Sequence, residues 1–229
     1  MSAPDTAVPS ASALRLVVAA ERLFAQRGID GVSLRQIAGA AGSANNSAVH
    51  YHFGSKEALI GAIFRHRLPQ LIQERRLLST RCDPGDLRSR LDAHFLPVLT
   101  MADSPDNHYV SFVEQLQRHA LAAQAGFLDL PEDGQRSNDE FVRDLHRLIP
   151  DLPERLRHLR VAEAQALTLH AAADRERAVT SGLSSEPFEI FAASILDGMA
   201  GFLAAPASDL TLRRLRDRGD EERPELHLL

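Results

Sequence analysis

Between positions 45 and 56 stand Asn45, Asn46, Ser47, His50, Tyr51, His52 and Lys56, the densest cluster of recognition chemistry in the chain. The amides and the hydroxyl both donate and accept hydrogen bonds, His and Tyr join a flat apolar ring to polar atoms, and Lys brings a cation. Such a set suits an extended surface that is polar at its edges and anionic along its backbone. It does not assemble a bond-breaking centre. His50 and His52 are two residues apart, positions that do not share a helix face, and no Cys or carboxylate spacing completes a metal site around them. The stretch Gly39 to Gly42 lacks the lysine and the preceding strand of a phosphate loop. His170 and Asp174, at i and i+4, read as a solvated helix pair, and Cys82 reads as a spectator. No enzyme, cofactor or metal is expected.

Holding those side chains in one row requires short, rigid elements, and the sequence supplies helices. Almost every periodic segment has helical spacing, and no clear run alternates as a half-buried strand does, so the fold class is all-α, with about nine helices. A first helix covers roughly Ala13 to Arg27, with Leu14, Val17, Val18 and Phe24 on one side and Gly28 closing its end. Ser33 opens a second, since Gln36 three residues on completes a capping box. Leu34, Ile37, Ala38 and Ala41 form its apolar stripe, and Gly42 ends it. A third, short helix is expected from about Asn45 to Tyr51. On it Val49 and Phe53 turn to the core and leave Asn46 with His50, and Ser47 with Tyr51, outward.

A fourth helix starts at the N-cap Ser55 and carries Leu59, Ile60, Ile63, Phe64 and Leu68 inward. Pro69 predicts a kink or break near residues 65 to 69, because proline lacks the donor that reaches Arg65 and crowds its carbonyl. Lys56 sits at the positive end of that helix's dipole, an unfavourable place unless a phosphate reverses the sign. The helix-four N-terminus with Lys56, and the helix-two N-terminus with Ser33 and Arg35, are therefore expected to clamp phosphates.

Three short helices, the last two joined by a tight Gly-containing turn, have the layout of a helix-turn-helix. At Gly31-Val32-Ser33-Leu34-Arg35-Gln36-Ile37-Ala38, Ala41-Gly42 and Val49-His50-Tyr51-His52-Phe53-Gly54-Ser55-Lys56-Glu57-Ala58-Leu59 the chain resembles the TetR (tetracycline-repressor) family of transcriptional regulators. The resemblance covers roughly residues 12 to 70. Ser43-Ala44-Asn45-Asn46 is about a residue longer than the family's usual turn. The resemblance implies a DNA-binding domain, here with Ser33, Arg35, Asn45, Asn46, Ser47, His50, Tyr51, His52 and Lys56 at double-stranded DNA, followed by a helical effector-binding and dimerisation domain. It also implies a homodimer on a palindromic operator, released by a small-molecule effector that the sequence does not identify. A helical adaptor that binds only protein is the alternative from another class; it leaves the cluster before residue 60 unexplained.

Composition fits this division. The 229 residues are 44% apolar with a net charge of −5, yet residues 1 to 68 hold seven cations against four carboxylates, a net +3, which leaves −8 for the rest. A basic binding module joined to an acidic body has that asymmetry. The expected domains are an arm over 1–12, the helix-turn-helix over 13–68, the helical body over 69–205 and a charged tail over 206–229. The arm does not read as a signal peptide and no long uncharged apolar run exists, so no membrane partner and a cytoplasmic address are expected.

Beyond Pro69, amphipathic segments lie near 84–102, 107–123, 138–149, 152–178 and 186–205, with the polar stretch Asp129 to Glu140 expected as a mobile connection. Phe95, Met101, His108, Tyr109, Phe112, His119 and Phe127 mix apolar and isolated polar groups, as the lining of an effector pocket would. Phe188, Ala192, Ile195, Met199 and Phe202 repeat in a 4-3-4-3 pattern as a dimer seam, with Ser194, Gly198 and Gly201 as a neighbouring strip of small residues.

Overall fold

The computed structural model describes residues 10–43, 47–123 and 131–217, with side chains up to residue 119 in the second of these stretches. Among the described residues the chain forms ten helices and no strand: α1 (Ala11–Arg27), α2 (Leu34–Ala40), α3 (Ala48–Phe53), α4 (Lys56–Ser79), α5 (Leu87–Ala102), α6 (Tyr109–Ala123), α7 (Glu132–Leu148), α8 (Glu154–Thr180), α9 (Phe188–Ala204) and α10 (Asp209–Asp217). The all-α expectation holds. No single described helix is long and apolar enough to cross a membrane.

The helices divide into two compact units, residues 1–69 with 108–131 and residues 70–107 with 132–229. In the first, α1 packs on α2, α3 and α6. Leu16, Ala20 and Phe24 of α1 meet Ile37 of α2, Val49 of α3, Leu59 and Ile63 of α4 and Phe112 and Leu116 of α6 in a core where each is at most 1% exposed. Its centre is aromatic. Phe112 lies 6.1 Å from Phe24 and 5.6 Å from Phe64, and Tyr109 stands edge-on to Phe64 at 6.1 Å. The tetrad explains why α6, distant in sequence, belongs with the first three helices: their apolar stripe is wider than α2 and α3 can cover.

In the second unit α5 is the axis, packed against α7, α8 and α9. Leu91 and Leu99 are fully buried on it, and His94 stacks face to face on Phe141 of α7 with ring centroids 3.6 Å apart. Arg175 of α8 joins several elements at once. Its Nε donates to Asp103 at 2.7 Å, its Nη1 to the Glu186 carbonyl at 2.9 Å, and its guanidinium lies 4.7 Å from the Phe191 ring. Arg160 caps the far end of α9 by donating to the Ala205 carbonyl while lying against Phe202.

Two expectations are corrected here. Pro69 does not break α4, which runs without interruption from Lys56 to Ser79. An interior proline costs about 3 kcal/mol, and the buried Leu68, Leu71 and Ile72 around it recover comparable free energy. The stretch expected as a mobile connection is helical from Glu132 onward. It forms the polar N-terminal part of α7, whose buried stripe, Phe141 and Leu145, lies in the segment expected as amphipathic. Acidic residues in its first turn and basic ones in its last complement the helix dipole. The charged tail contains a further helix, α10.

Candidate nucleic-acid interface

The first unit positions its polar row through the ends of its helices. At α2 the capping box forms as expected: the Gln36 amide donates to Ser33 Oγ at 3.3 Å, and the Ser33 amide donates to Gln36 Oε1 at 2.8 Å. The Ser33 hydroxyl also donates to Gln36 Oε1. Ser33 is thus largely spent on its own helix, while Arg35, in the first turn, is exposed. After Ala41, Gly42 takes φ +69°, and Ser43 N–H reaches back to the Ala38 carbonyl at 3.0 Å. This left-handed closure needs glycine, and it turns the chain toward α3.

α3 begins at Ala48, later than the expected Asn45, and Ser47 precedes it without capping it through its side chain. Asn45 and Asn46 lie outside the described residues. Ala48 and Val49 are buried, whereas Phe53, expected beside Val49 in the core, is half-buried. A helix of six residues exposes most of its surface, and Ala48 and Val49 are the two that α3 buries. His50 and Tyr51 face outward, Tyr51 at 84% exposure. His52 is half-buried and stands edge-on to Tyr51 at 5.0 Å. His50 and Tyr51 are thus the exposed ring-bearing residues of α3, with His52 half-buried against Tyr51.

Lys56 has a role that sequence reasoning missed. Its Nζ donates to the Ile29 carbonyl at 2.9 Å and lies 5.9 Å from the Phe24 ring, so the cation closes the start of α4 on the turn between α1 and α2. The unfavourable end of the helix dipole is tolerated because an internal carbonyl receives the charge. Glu21 was also missed. It is 1% exposed on α1, where Arg67 of α4 grips it in a fork, Nε to Oε2 and Nη2 to Oε1, both at 2.7 Å. No local signal could have paired residues 46 apart in sequence. His119 Nδ1 stands 3.0 Å from the Asp30 carboxylate, tying α6 to the turn that Lys56 also holds.

The residues expected to line an effector pocket fall in both units. His108, Tyr109, Phe112 and His119 belong to the first unit and Phe95 and Met101 to the second; Phe127 lies outside the described residues. Tyr109 and Phe112 are spent on the aromatic tetrad, His119 on Asp30, and Phe95 on His94 and Phe141. The expected dimer seam also divides. Ala192 and Met199 are buried within the second unit beside Leu196 and Leu203, whereas Phe188, Ile195 and Phe202 are half-buried. The helical period of 3.6 rotates a strict 4-3 seam partly into the chain's own core. Ser194, Gly198 and Gly201 are exposed together with Ile190.

Residues 16–63 match the family model described as bacterial regulatory proteins, tetR family. The chain is 37% identical over 82 residues to the HTH-type transcriptional repressor Rv3405c of Mycobacterium tuberculosis and, equally, to the HTH-type transcriptional regulator Mb3439c of Mycobacterium bovis. That match takes in 36% of this chain and 42% of each relative, so the chain spans less than half the length of the curated relatives it matches. Among solved structures, GusR of Salmonella enterica superposes over 87% of this chain and 99% of its own with a TM-score of 0.52 at 16% identity, a likeness of fold.

Proposed function

We propose that this chain, whose residues 16–63 match the model of the tetR family of bacterial regulatory proteins, is a DNA-binding transcriptional regulator of that family that reads its site with α3. The observation that carries this reading is the exposure of His50 and Tyr51 on a short helix that buries Ala48 and Val49. At 84% exposure the Tyr51 ring, edge-on to His52, buries little of its surface, whereas a major groove about 12 Å wide accepts an α-helix and offers polar edges and thymine methyls to such side chains. Arg35 serves as a phosphate contact, and Asn45, Asn46 and Ser47 join His50 and Tyr51 at base edges or phosphates. Lys56 and Ser33 contribute by fixing the ends of α4 and α2.

A dimer is the natural working form, with the exposed Ile190, Ser194, Gly198 and Gly201 of α9 facing a second copy. Two reading heads about a two-fold axis see inverted half-sites, so the operator is a rough palindrome. A small-molecule effector acting on the helical body, with repression as output, completes the reading. The test is selection of duplexes from a random pool followed by footprinting. Protection of two inverted half-sites supports the proposal. Protection of one asymmetric half-site removes the dimer, and failure to select any duplex removes the regulator. Thermal-shift screening of small molecules addresses the effector separately.

A further inference from the structure

The outward imidazole of α3 is held in one tautomer. His50 Nδ1 stands 2.8 Å from the Gly54 carbonyl oxygen. A carbonyl oxygen only accepts, so the hydrogen in that bond belongs to Nδ1. The contact is anchored from both ends, because the Gly54 N–H donates to the His50 carbonyl at 3.0 Å and Gly54 takes φ +77°, which turns its own carbonyl back along the helix. That carbonyl lies past the last turn, where no amide of α3 can reach it, and a histidine near a helix C-terminus satisfies such a group. An unconstrained imidazole in water carries its proton mostly on Nε2. Here the local bond sets the opposite form, since the partner of one ring nitrogen dictates the state of the other.

We infer that neutral His50 presents Nε2 as a bare hydrogen-bond acceptor and selects an exocyclic amino group in the major groove, adenine N6 or cytosine N4. Guanine and thymine offer only acceptors at those edges, N7 and O6 or O4, and an acceptor facing an acceptor is repelled. The inference rests on the DNA-binding reading above and assigns one atom of it. Lysine or arginine in this place would favour guanine; the Gly54 carbonyl therefore makes His50 a specificity-determining residue with the opposite sign.

Two measurements test it. Long-range proton–nitrogen correlation on the free, imidazole-labelled protein under conditions where the ring is neutral, with the His50 signal assigned by its loss in His50→Gln, should show the proton on Nδ1. A proton on Nε2 overturns the inference without touching DNA binding. Duplexes taken from the random-pool selection are then remade with purine for adenine or 2-pyrimidinone for cytosine, deleting one amino group at a time. At one position per half-site the deletion should weaken wild type about tenfold and leave His50→Ala unaffected. If no deletion separates the two proteins, or if the sensitive atom is guanine O6 or thymine O4, the assignment is wrong. A chain that selects no duplex sinks the amino-group assignment together with the reading it rests on, while the proton position still reports on the ring by itself.

Discussion

Glu21 and His94 are two buried polar residues at which a single change, of partner or of pH, acts on stability. Glu21 is nearly inaccessible and its partner Arg67 is about one quarter exposed. The forked pair roughly balances its own desolvation, but either partner left alone is a buried charge without a counter-ion. Arg67→Ala should therefore lower unfolding free energy by about 3 kcal/mol, with Glu21→Gln in the same background recovering part of it; urea denaturation of the two variants measures both. His94 supplies a pH dependence. Burial first, and then the positive charges of Arg75 and Arg90, hold its imidazole well below the ordinary value of 6.5. The unfolded chain takes up that proton while the folded chain does not, so the stability is complete above about pH 6.5. It falls as pH drops below that value, by up to about 1.4 kcal/mol per pH unit for one proton. Thermal melting between about pH 7.5 and pH 5.5 should show a shallower acid decline in His94→Gln than in wild type; equal slopes would place the titration elsewhere.

At the scale of elements, α4 is the informative case. Periodicity identifies the helix from Ser55 onward, and proline chemistry correctly flags a lost hydrogen bond at Pro69, yet the helix continues. The local penalty and the inward Leu68 were legible, and the further burial of Leu71 and Ile72 beyond the proline was not. It follows that Pro69→Ala restores the bond to the Arg65 carbonyl and raises stability, by up to about 3 kcal/mol, with helical content by circular dichroism nearly unchanged. A large gain in helical signal would mean that α4 is broken in solution. α7 teaches the converse: a polar run containing Gly134 reads as a connection until Phe141 finds His94 to stack on.

For the whole molecule, the exposed strip on α9 makes a prediction with two separable parts. A Cβ added at Gly198 or Gly201 meets nothing within 4 Å in the single chain, and glycine inside a helix costs about 1 kcal/mol relative to alanine. Gly198→Ala should thus stabilise an isolated protomer, while Gly198→Leu should raise the dimer dissociation constant by filling the space a second helix needs. Light scattering across a dilution series reads the second effect. A dimer indifferent to Gly198→Leu would move the interface off this strip.

What the chain's order of residues determined by itself is local. The capping box at Ser33, the glycine closure at Gly42 and the short helix bearing His50 and Tyr51 all depend on neighbours within about four positions, the range over which helical hydrogen bonds and caps act. The fold class and the outward row at the candidate interface were therefore legible. Tertiary structure decided everything that needed a distant partner: Arg67 on Glu21, Lys56 on the Ile29 carbonyl, and Phe112 against Phe24 and Phe64. It also decided that Tyr109, Phe112 and Met199 are core residues, at 4% exposure or less. An apolar or aromatic side chain has the same periodicity whether it lines a cavity, meets a second copy or fills its own core, and only the packing around it distinguishes the three.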